Sequence, residues 1–292
     1  MYKGVYTALI TPFNKDGSLD AQALKDLVEF QIAEGISGLV PVGTTGESPT
    51  VSHDENVRVV QIVVEQAKKR VPVIAGTGSN STQEAIAMTL RARDIGADAT
   101  LQVTPYYNKP SQEGIYRHFT AIADAAGLPM IIYNIAGRTA RNIENDTMLR
   151  LARHPKIAAV KEASGDLAQV MDLCRRKPAG FDILSGDDNL GLPIIALGGT
   201  GIISVASNII PGKMERLVTL CLEGKMDEAR ELHYSLLPFF KTLFIETNPI
   251  PVKYAASLLG KCAEVYRLPM CEMEEAKKNA MQKALRDLRL LP

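Results

Sequence analysis

Short apolar segments alternate along this chain with longer amphipathic segments, and this alternation limits the possible folds more than any other feature. The apolar segments cover residues 4–11, 38–43, 72–77, 99–104, 129–134, 157–162, 182–187 and 201–206. Each is too short for a helix and rich in valine, isoleucine and leucine, which is typical of parallel strands that are covered on both faces. Eight strand–helix units in a row predict an α/β protein, a closed (β/α)8 TIM barrel.

The amphipathic segments between these strands carry helix-capping patterns. An apolar stripe runs through residues 18–34 and ends before a glycine, which predicts a helix there. Ser52 with Glu55, and Ser81 with Glu84, both match the capping box, in which the two side chains bind free N–H groups of the first helical turn. These patterns place the helices of the predicted barrel after its first, second and third strands.

A doubly wound open sheet is the alternative architecture. Such sheets commonly have fewer strands and a GxGxxG sequence after the first strand, whereas here the first apolar segment ends in TPF. A chain of 292 residues is long enough for one barrel of about 250 residues and some additional helices. We therefore predict a barrel carrying the active site over residues 1–225 and a small C-terminal helical appendix over residues 226–292.

The composition argues against several classes of function. Lysine plus arginine equal aspartate plus glutamate at 33 each, whereas a nucleic-acid-binding protein normally has a basic surface. No apolar run is long enough to span a membrane, and the N-terminus lacks the features of a signal peptide. The four cysteines and four histidines show no metal-ligand spacing. We expect a cytoplasmic protein with reduced thiols, no metal and no cofactor.

Lys161 is the most informative single residue, because it ends an otherwise apolar strand. Strand alternation predicts that it shares a face with Ile157 and Ala159. If that face is the barrel interior, poor hydration favours the neutral amine and lowers its pKa, and a neutral amine can attack a carbonyl to form an imine. The alternative is a lysine whose ammonium reaches solvent or pairs with Glu162.

Other polar residues follow neighbouring strands. Tyr133 ends the fifth segment, where its phenol could shuttle protons, although a core tyrosine with its hydroxyl at the rim is the alternative. Loop 43–48 supplies closely spaced backbone N–H groups and hydroxyls, a combination suited to a carboxylate. Arg138 lies in a Gly-Arg-Thr loop and could bind a carboxylate with two hydrogen bonds, or it could form an exposed salt bridge.

Taken together, six motifs resemble one enzyme family. They are GTTGES at 43–48, VTPYYNKP at 103–110, YN-x-x-GRT at 133–139, KEASGD at 161–166, GIISVASN at 201–208 and NPIPVK at 248–253. In order and spacing the set resembles the dihydrodipicolinate synthase (4-hydroxy-tetrahydrodipicolinate synthase) family, from the first strand to about residue 270. The resemblance implies an aldolase-type lyase that condenses pyruvate with L-aspartate-4-semialdehyde in lysine and diaminopimelate biosynthesis, without a cofactor.

The resemblance also implies roles for catalytic residues. Lys161 would form the Schiff base with pyruvate, and Tyr133 would donate and accept protons. Thr44 would complete a proton relay together with Tyr107 of the partner subunit. Because this arrangement needs a second subunit, the resemblance implies a homotetramer built from tight dimers, with a simple dimer as the alternative.

Three further residues are implied to bind the substrates. Thr45 would bind the pyruvate carboxylate, and the carbonyl of Ile203 would line the same pocket. Arg138 would hold the carboxylate of the semialdehyde. One departure from the family pattern lies near Arg138, since Ala136 stands where the family usually has proline. A free N–H and a looser φ at that position could change the loop that carries the arginine.

The resemblance further suggests a site for feedback inhibition by lysine between subunits. The matching positions are Ser48, His53, Asn80, Glu84 and Tyr106. Asn56 stands where the family often has histidine, so one contact of this site is altered. Whether lysine inhibits this protein stays open from the sequence.

Two other functions compete with this interpretation. One is a different pyruvate-dependent aldolase, such as an N-acetylneuraminate lyase or a keto-deoxy-sugar-acid aldolase, which would share the lysine and the tyrosine. Arg138 and Tyr107 argue for a short carboxylated aldehyde instead. The other is a non-catalytic barrel that binds small carboxylates, which would be expected to lack the lysine or the tyrosine at the strand ends.

Overall fold

Eight parallel strands form a closed barrel in the computed structural model, which describes residues 1–292. The strands are β1 (Gly4–Ala8), β2 (Gly38–Val40), β3 (Ile74–Gly76), β4 (Ala99–Val103), β5 (Met130–Asn134), β6 (Ile157–Glu162), β7 (Asp182–Ser185) and β8 (Gly201–Ser204). Pairing runs in the order β2-β1-β8-β7-β6-β5-β4-β3. Leu39 of β2 bridges to Val73 next to β3, and its N–H donates to the carbonyl of Pro72 at 3.0 Å. This contact closes the ring, so the predicted (β/α)8 barrel is confirmed.

Helices follow the strands around the outside of the barrel. They are α1 (Ala21–Ala33), α2 (His53–Ala67), α3 (Thr82–Ile95), α4 (Gln112–Ala126), α5 (Ala136–Thr139), α6 (Asn145–Leu151), α7 (Leu167–Arg176), α8 (Gly191–Ala196), α9 (Pro211–Leu222), α10 (Met226–Thr242), α11 (Ile250–Leu258) and α12 (Glu275–Asp287). The first of them begins later than residue 18. Asp20 caps it by accepting from the N–H of Ala23 at 2.9 Å, while the hydroxyl of Ser18 is bound to Asp16.

Only one of the two predicted capping boxes is complete. At the start of α2, the Ser52 hydroxyl accepts from the N–H of Glu55, and the Glu55 carboxylate accepts from the N–H of Ser52. At the start of α3, Ser81 accepts from the N–H of Glu84, but the second half of the box is missing. The Glu84 carboxylate turns instead to partners outside its own helix, and the prediction for this side chain was therefore wrong.

The barrel interior is filled by one cluster of inward-facing side chains. This cluster includes Tyr6, Ala8, Val40, Ile74, Ala99, Leu101, Ile131, Tyr133, Ala159, Leu184 and Ile203. Ile157 is not part of it, contrary to the prediction from strand alternation. The register against β5 shifts here, since Met130 pairs with Ile157 but Ile131 pairs with Ala159, leaving Ala158 as an extra residue. Ile157 therefore packs outward, among the residues between strands and helices.

The last three helices pack against the barrel rather than around a core of their own. Buried residues of α10, α11 and α12 belong to the same apolar cluster as residues of β1 and α9. α10 begins at Met226, next to the predicted boundary, but the division into domains 1–225 and 226–292 stays a prediction. Residues 248–253 run against the loops that follow β2 and β5. None of the helices combines the length and apolar character that crossing a bilayer requires.

Candidate active site

Lys161 lies at the carboxyl end of β6 and points into the barrel. It pairs in register with Tyr133 of β5, and its Nζ lies 4.1 Å from the centroid of that tyrosine ring. The side chain is only 5 % exposed and takes part in none of the ion pairs of the structure. Glu162 points away from it and accepts hydrogen bonds from Asn134 and from the N–H of Ser164. The lysine is therefore buried without a partner, not salt-bridged to its neighbour.

Burial lowers the pKa of Lys161 to about 8. The nearby carboxylates of Asp187 and Asp188 oppose this shift, and the charge of Arg138 adds to it. A lowering of this size increases the neutral fraction of the amine at pH 7 by roughly a few hundred-fold relative to an exposed lysine. The stem of the side chain is pressed against Gly186, where an added Cβ would lie 3.0 Å from Lys161 Cε. The site thus holds a nucleophilic amine in a fixed position.

Tyr133 supplies a phenol that stays protonated. Burial and the negative charge of Asp187 raise its pKa well above the usual value, while Arg138 and a hydrogen-bonding contact with Thr44 partly oppose the shift. A protonated phenol beside an amine can donate a proton to an oxygen that leaves the substrate. Thr44 itself begins the short 3-10 turn Thr44–Gly46 after β2 and lines the same small cavity as Tyr133, so two members of the predicted relay lie near each other.

The two predicted carboxylate-binding groups approach this pair from different loops. Thr45 is buried in the turn after β2, and its Oγ1 accepts from Asn248 Nδ2 at 3.0 Å. Arg138 lies in the one-turn helix α5 after β5, and its Nη2 donates to the carbonyl of Asn248 at 3.3 Å. Ile203 is buried in the barrel interior on β8, which only β7 separates from the strand of Lys161. Ala136 is the first residue of α5, where proline and alanine are both tolerated because that N–H has no partner in the helix.

A cavity of about 610 Å³ opens at this end of the barrel. Thr44 and Arg138 line one part of it. The other part is lined by residues of the predicted lysine site, namely Ser48, His53, Glu84 and Tyr106. Tyr133 lines a smaller adjoining cavity of about 40 Å³, which shares Thr44 and Ser48 with the larger one. Lys161, Thr45 and Ile203 line neither cavity. The two adjoining cavities therefore bring Thr44, Tyr133 and Arg138 together with most of the predicted lysine-site residues.

Comparison with known proteins agrees with this geometry. A sequence model described as the dihydrodipicolinate synthetase family matches residues 1–288. The chain belongs to this family. A relative named 4-hydroxy-tetrahydrodipicolinate synthase, from Thermodesulfovibrio yellowstonii, is 50 % identical over 291 residues, which cover 100 % of both chains. The resemblance seen in the six motifs is thereby confirmed.

Two solved structures of this family are similar over the whole chain. The dihydrodipicolinate synthase from Acinetobacter baumannii, complexed with pyruvate, is 41 % identical with a TM-score of 0.98 and full coverage of both chains, at 100 % each. The synthase from Cyanidioschyzon merolae, with lysine bound, is 40 % identical with a TM-score of 0.97 and covers 99 % of each chain. The barrel and its C-terminal helices are therefore shared with these synthases.

In this protein, polar contacts connect several residues of the predicted lysine site. His53 Nε2 lies 2.8 Å from Glu84 Oε1, and Ser79 also binds the Glu84 carboxylate. Asn80 does not line the cavity, but its Nδ2 donates to the carbonyl of Tyr106 at 3.1 Å. Asn56 does line it, and its buried Oδ1 has no hydrogen-bond partner. A vacant acceptor of this kind suits a ligand that brings a donor.

Tyr107 is set apart from all of these residues within the subunit. Its side chain is 89 % exposed, and its backbone has a φ of 70°, which a non-glycine residue adopts only when its surroundings hold it there. Within this chain it does not complete a relay with Thr44 and Tyr133. Its outward position is the one that the role implied by the resemblance requires, in which Tyr107 acts on the partner subunit.

Asn248 was missed by the sequence-based reasoning, although it lies in the NPIPVK motif. Its side chain donates to Thr45, and its backbone carbonyl accepts from Arg138, so one residue supports both predicted carboxylate-binding groups. The contact with Thr45 joins positions 203 residues apart in the chain. The motif pointed to this segment, but nothing local to it indicated which loops it would contact.

Glu47 and Lys253 form a second connection that the sequence did not reveal. Lys253 Nζ lies 2.5 Å from Glu47 Oε1, and the two side chains are 0 % and 1 % exposed. The same ammonium donates to the carbonyl of Val265 at 2.7 Å and lies 4.2 Å from the ring centroid of Phe13. Since Glu47 is two residues after Thr45, this buried ion pair anchors the loop that carries the predicted carboxylate site.

Asp188, which follows β7, also has a positioning role that was not predicted. Its buried carboxylate accepts from the N–H groups of Val205 at 3.1 Å and Ala206 at 2.9 Å. These bonds hold the loop that follows β8, just beyond Ile203. Two aspartates, Asp187 and Asp188, follow this strand in the sequence. The sequence does not show that Asp188, rather than Asp187, binds backbone N–H groups through its carboxylate.

Proposed function

We propose that this protein is an aldolase-type lyase that condenses pyruvate with L-aspartate-4-semialdehyde to form 4-hydroxy-tetrahydrodipicolinate, in the biosynthesis of lysine and diaminopimelate. One observation carries the proposal: Lys161 is buried, has no ion-pair partner and lies against Tyr133 at the carboxyl end of the barrel. The match to synthases of this name along the whole chain supports it.

The first half of the reaction would use the amine and the phenol. Neutral Lys161 attacks the ketone carbon of pyruvate, and Tyr133 donates the proton with which the oxygen leaves as water. Thr45 and the backbone N–H groups of its turn bind the pyruvate carboxylate. The resulting iminium withdraws electrons, so that the pyruvate methyl group loses a proton and an enamine forms.

The second half would use Arg138 and a second subunit. The guanidinium holds the carboxylate of the semialdehyde while the enamine carbon attacks the aldehyde. Ring closure by the substrate nitrogen then releases Lys161. Thr44 and Tyr107 of the partner subunit would pass protons between Tyr133 and solvent, which is supported by the exposed position of Tyr107. We therefore include a homotetramer, built as a dimer of dimers, in the proposal.

Reduction with borohydride in the presence of pyruvate tests the central step. We expect a stable pyruvate adduct on Lys161, detected by peptide mass spectrometry, since reduction converts the imine to an amine. The trapping rate should rise with pH and level off above about 8, because only the neutral amine reacts and the pKa of Lys161 lies near that value. Omitting pyruvate is the control, and a rate that is flat from pH 6 to 9 would contradict the assignment.

A coupled assay separates the proposed reaction from the alternatives. Turnover of pyruvate with L-aspartate-4-semialdehyde but not with N-acetylmannosamine supports the synthase. The opposite preference would indicate an N-acetylneuraminate lyase, and a keto-deoxy-sugar acid as the best substrate would indicate an aldolase of that type. A protein that binds carboxylates but forms no adduct with pyruvate would be the non-catalytic barrel.

We also propose that lysine binds in the outer part of the large cavity. Glu84 and His53 lie there with Oε1 and Nε2 2.8 Å apart, and Asn56 offers an unpaired acceptor to an ammonium group. Initial rates measured with and without millimolar lysine should show inhibition. In Glu84→Gln the lysine concentration for half-inhibition should rise at least about tenfold relative to wild type, because a charged hydrogen bond is lost. Rates unchanged by lysine would remove this part of the proposal.

A cytoplasmic location completes the proposal. All four cysteines are free thiols, which suits a reducing compartment.

A further inference from the structure

The groups assigned so far account for the carboxylates of the two substrates but not for a third charge. L-Aspartate-4-semialdehyde also carries an ammonium group, and the ring cannot close until that nitrogen has lost a proton. A binding site for this substrate therefore needs a hydrogen-bond acceptor near both Arg138 and Lys161. The acidic residues at the carboxyl ends of the strands are the candidates.

Most of these acidic residues are already committed. Glu162 binds Asn134 and Ser164 outside the barrel interior, and Asp188 binds two backbone N–H groups after β8. Glu47 is paired with Lys253. Asp187 differs from all three, because its carboxylate accepts no hydrogen bond and takes part in no ion pair.

The backbone places Asp187 next to the reacting amine. The N–H of Gly186 donates to the carbonyl of Glu162 at 2.7 Å, and this glycine touches the stem of Lys161. The next residue, Asp187, is held at its backbone, where the N–H donates to Ser185 Oγ at 3.2 Å and the carbonyl accepts from the same hydroxyl at 2.7 Å. The main chain is thus fixed while the carboxylate stays free.

The charges around this carboxylate agree with that position. Asp187 is close enough to affect the pKa values of both Lys161 and Tyr133, and Lys161 and Arg138 in turn lower its own pKa against the larger effect of burial. Asp188 and Glu162 are also within its electrostatic range. An acceptor here is within electrostatic range of both the amine that forms the imine and the guanidinium that would hold the substrate carboxylate.

We propose that the Asp187 carboxylate binds the ammonium group of the aldehyde substrate and accepts one of its protons before ring closure. This inference rests on the proposed function. After the proton moves to Asp187, the nitrogen lone pair forms a bond to the iminium carbon, and the π electrons move onto Lys161 Nζ. A second proton passes from the substrate nitrogen to Nζ. The C–Nζ bond then breaks as a C=N bond forms in the ring, and Lys161 leaves as a neutral amine.

Succinate semialdehyde provides a matched probe, because it is the same aldehyde without the ammonium group. In Asp187→Asn we expect the KM for L-aspartate-4-semialdehyde to rise about 10- to 100-fold, the effect of losing a charged hydrogen bond. The inhibition constant of succinate semialdehyde, measured with pyruvate-loaded enzyme, should change less than about threefold. Mass spectrometry of the variant should show the open-chain adduct accumulating on Lys161 with the amino substrate.

Asp227→Asn is the control for removal of a carboxylate, since that side chain is 93 % exposed on α10, and both constants should stay at their wild-type values. Equal effects of Asp187→Asn on the two aldehydes, or no effect on either, would overturn the inference. Pyruvate trapping by borohydride in the variant shows that its Lys161 site is intact. Failure of that trapping in wild type would instead refute the proposed function.

Discussion

Replacing Lys161 with alanine is expected to lower kcat by about three to six orders of magnitude. The imine cannot form without the amine, and neither the carboxylate-binding groups nor Tyr133 can supply an equivalent electron sink. The coupled assay with pyruvate and the semialdehyde measures this loss, and borohydride trapping should give no adduct at this position.

Lys156→Ala is the matched control for this experiment. That lysine is exposed and directly precedes the same strand, so its loss should leave kcat within about a factor of two. A Lys161→Ala enzyme with nearly wild-type turnover would show that the reaction does not pass through the lysine imine. Circular dichroism of both variants checks that the barrel has formed.

Lys253→Met is expected to lower the free energy of unfolding by about 3–5 kcal/mol. The variant leaves the carboxylate of Glu47 buried without its counter-ion, with the N–H of Arg267 at 3.4 Å as its remaining donor. Urea denaturation followed by circular dichroism at a fixed protein concentration measures the change. The KM for pyruvate should also rise, because Glu47 anchors the turn that carries Thr45.

The double variant Glu47→Gln, Lys253→Met separates the ion pair from simple packing. With both charges removed, no ion is left buried, and most of the lost stability should return. If the double variant lost as much free energy of unfolding as the two single variants lose together, the two residues would not be energetically coupled. A Lys253→Met protein as stable as wild type would show that burying the Glu47 carboxylate without its counter-ion costs little free energy.

Several features of the site were predictable because they depend on neighbouring residues in the chain. Lys161 and Tyr133 each end an apolar strand, and adjacent parallel strands end at the same edge of the barrel. The alternation rule failed at Ile157, because the extra residue Ala158 reverses the pattern for one position. Nothing in the composition of that strand indicates such a bulge, which arises from its pairing with β5.

Other features depended on which of several possible hydrogen-bond partners a side chain binds. Glu84 has a local partner in the first turn of its own helix, but in the folded protein it binds Ser79 and His53, which come from loops and helices outside α3. A sequence pattern shows that one of these bonds is possible, and only the tertiary structure determines which bond forms. The same holds for the aspartates after β7, of which one is bound to the backbone and the other is free.

The sequence by itself determined the barrel, its amphipathic helices and the strand-end positions of Lys161 and Tyr133, because periodicity and strand order are local properties. The tertiary structure alone decided that Asn248 supports both Thr45 and Arg138, and that Lys253 neutralises Glu47. These contacts join residues between 110 and 206 positions apart in the chain. Their formation depends on how the C-terminal helices pack across the end of the barrel, and no local pattern in the chain encodes that packing.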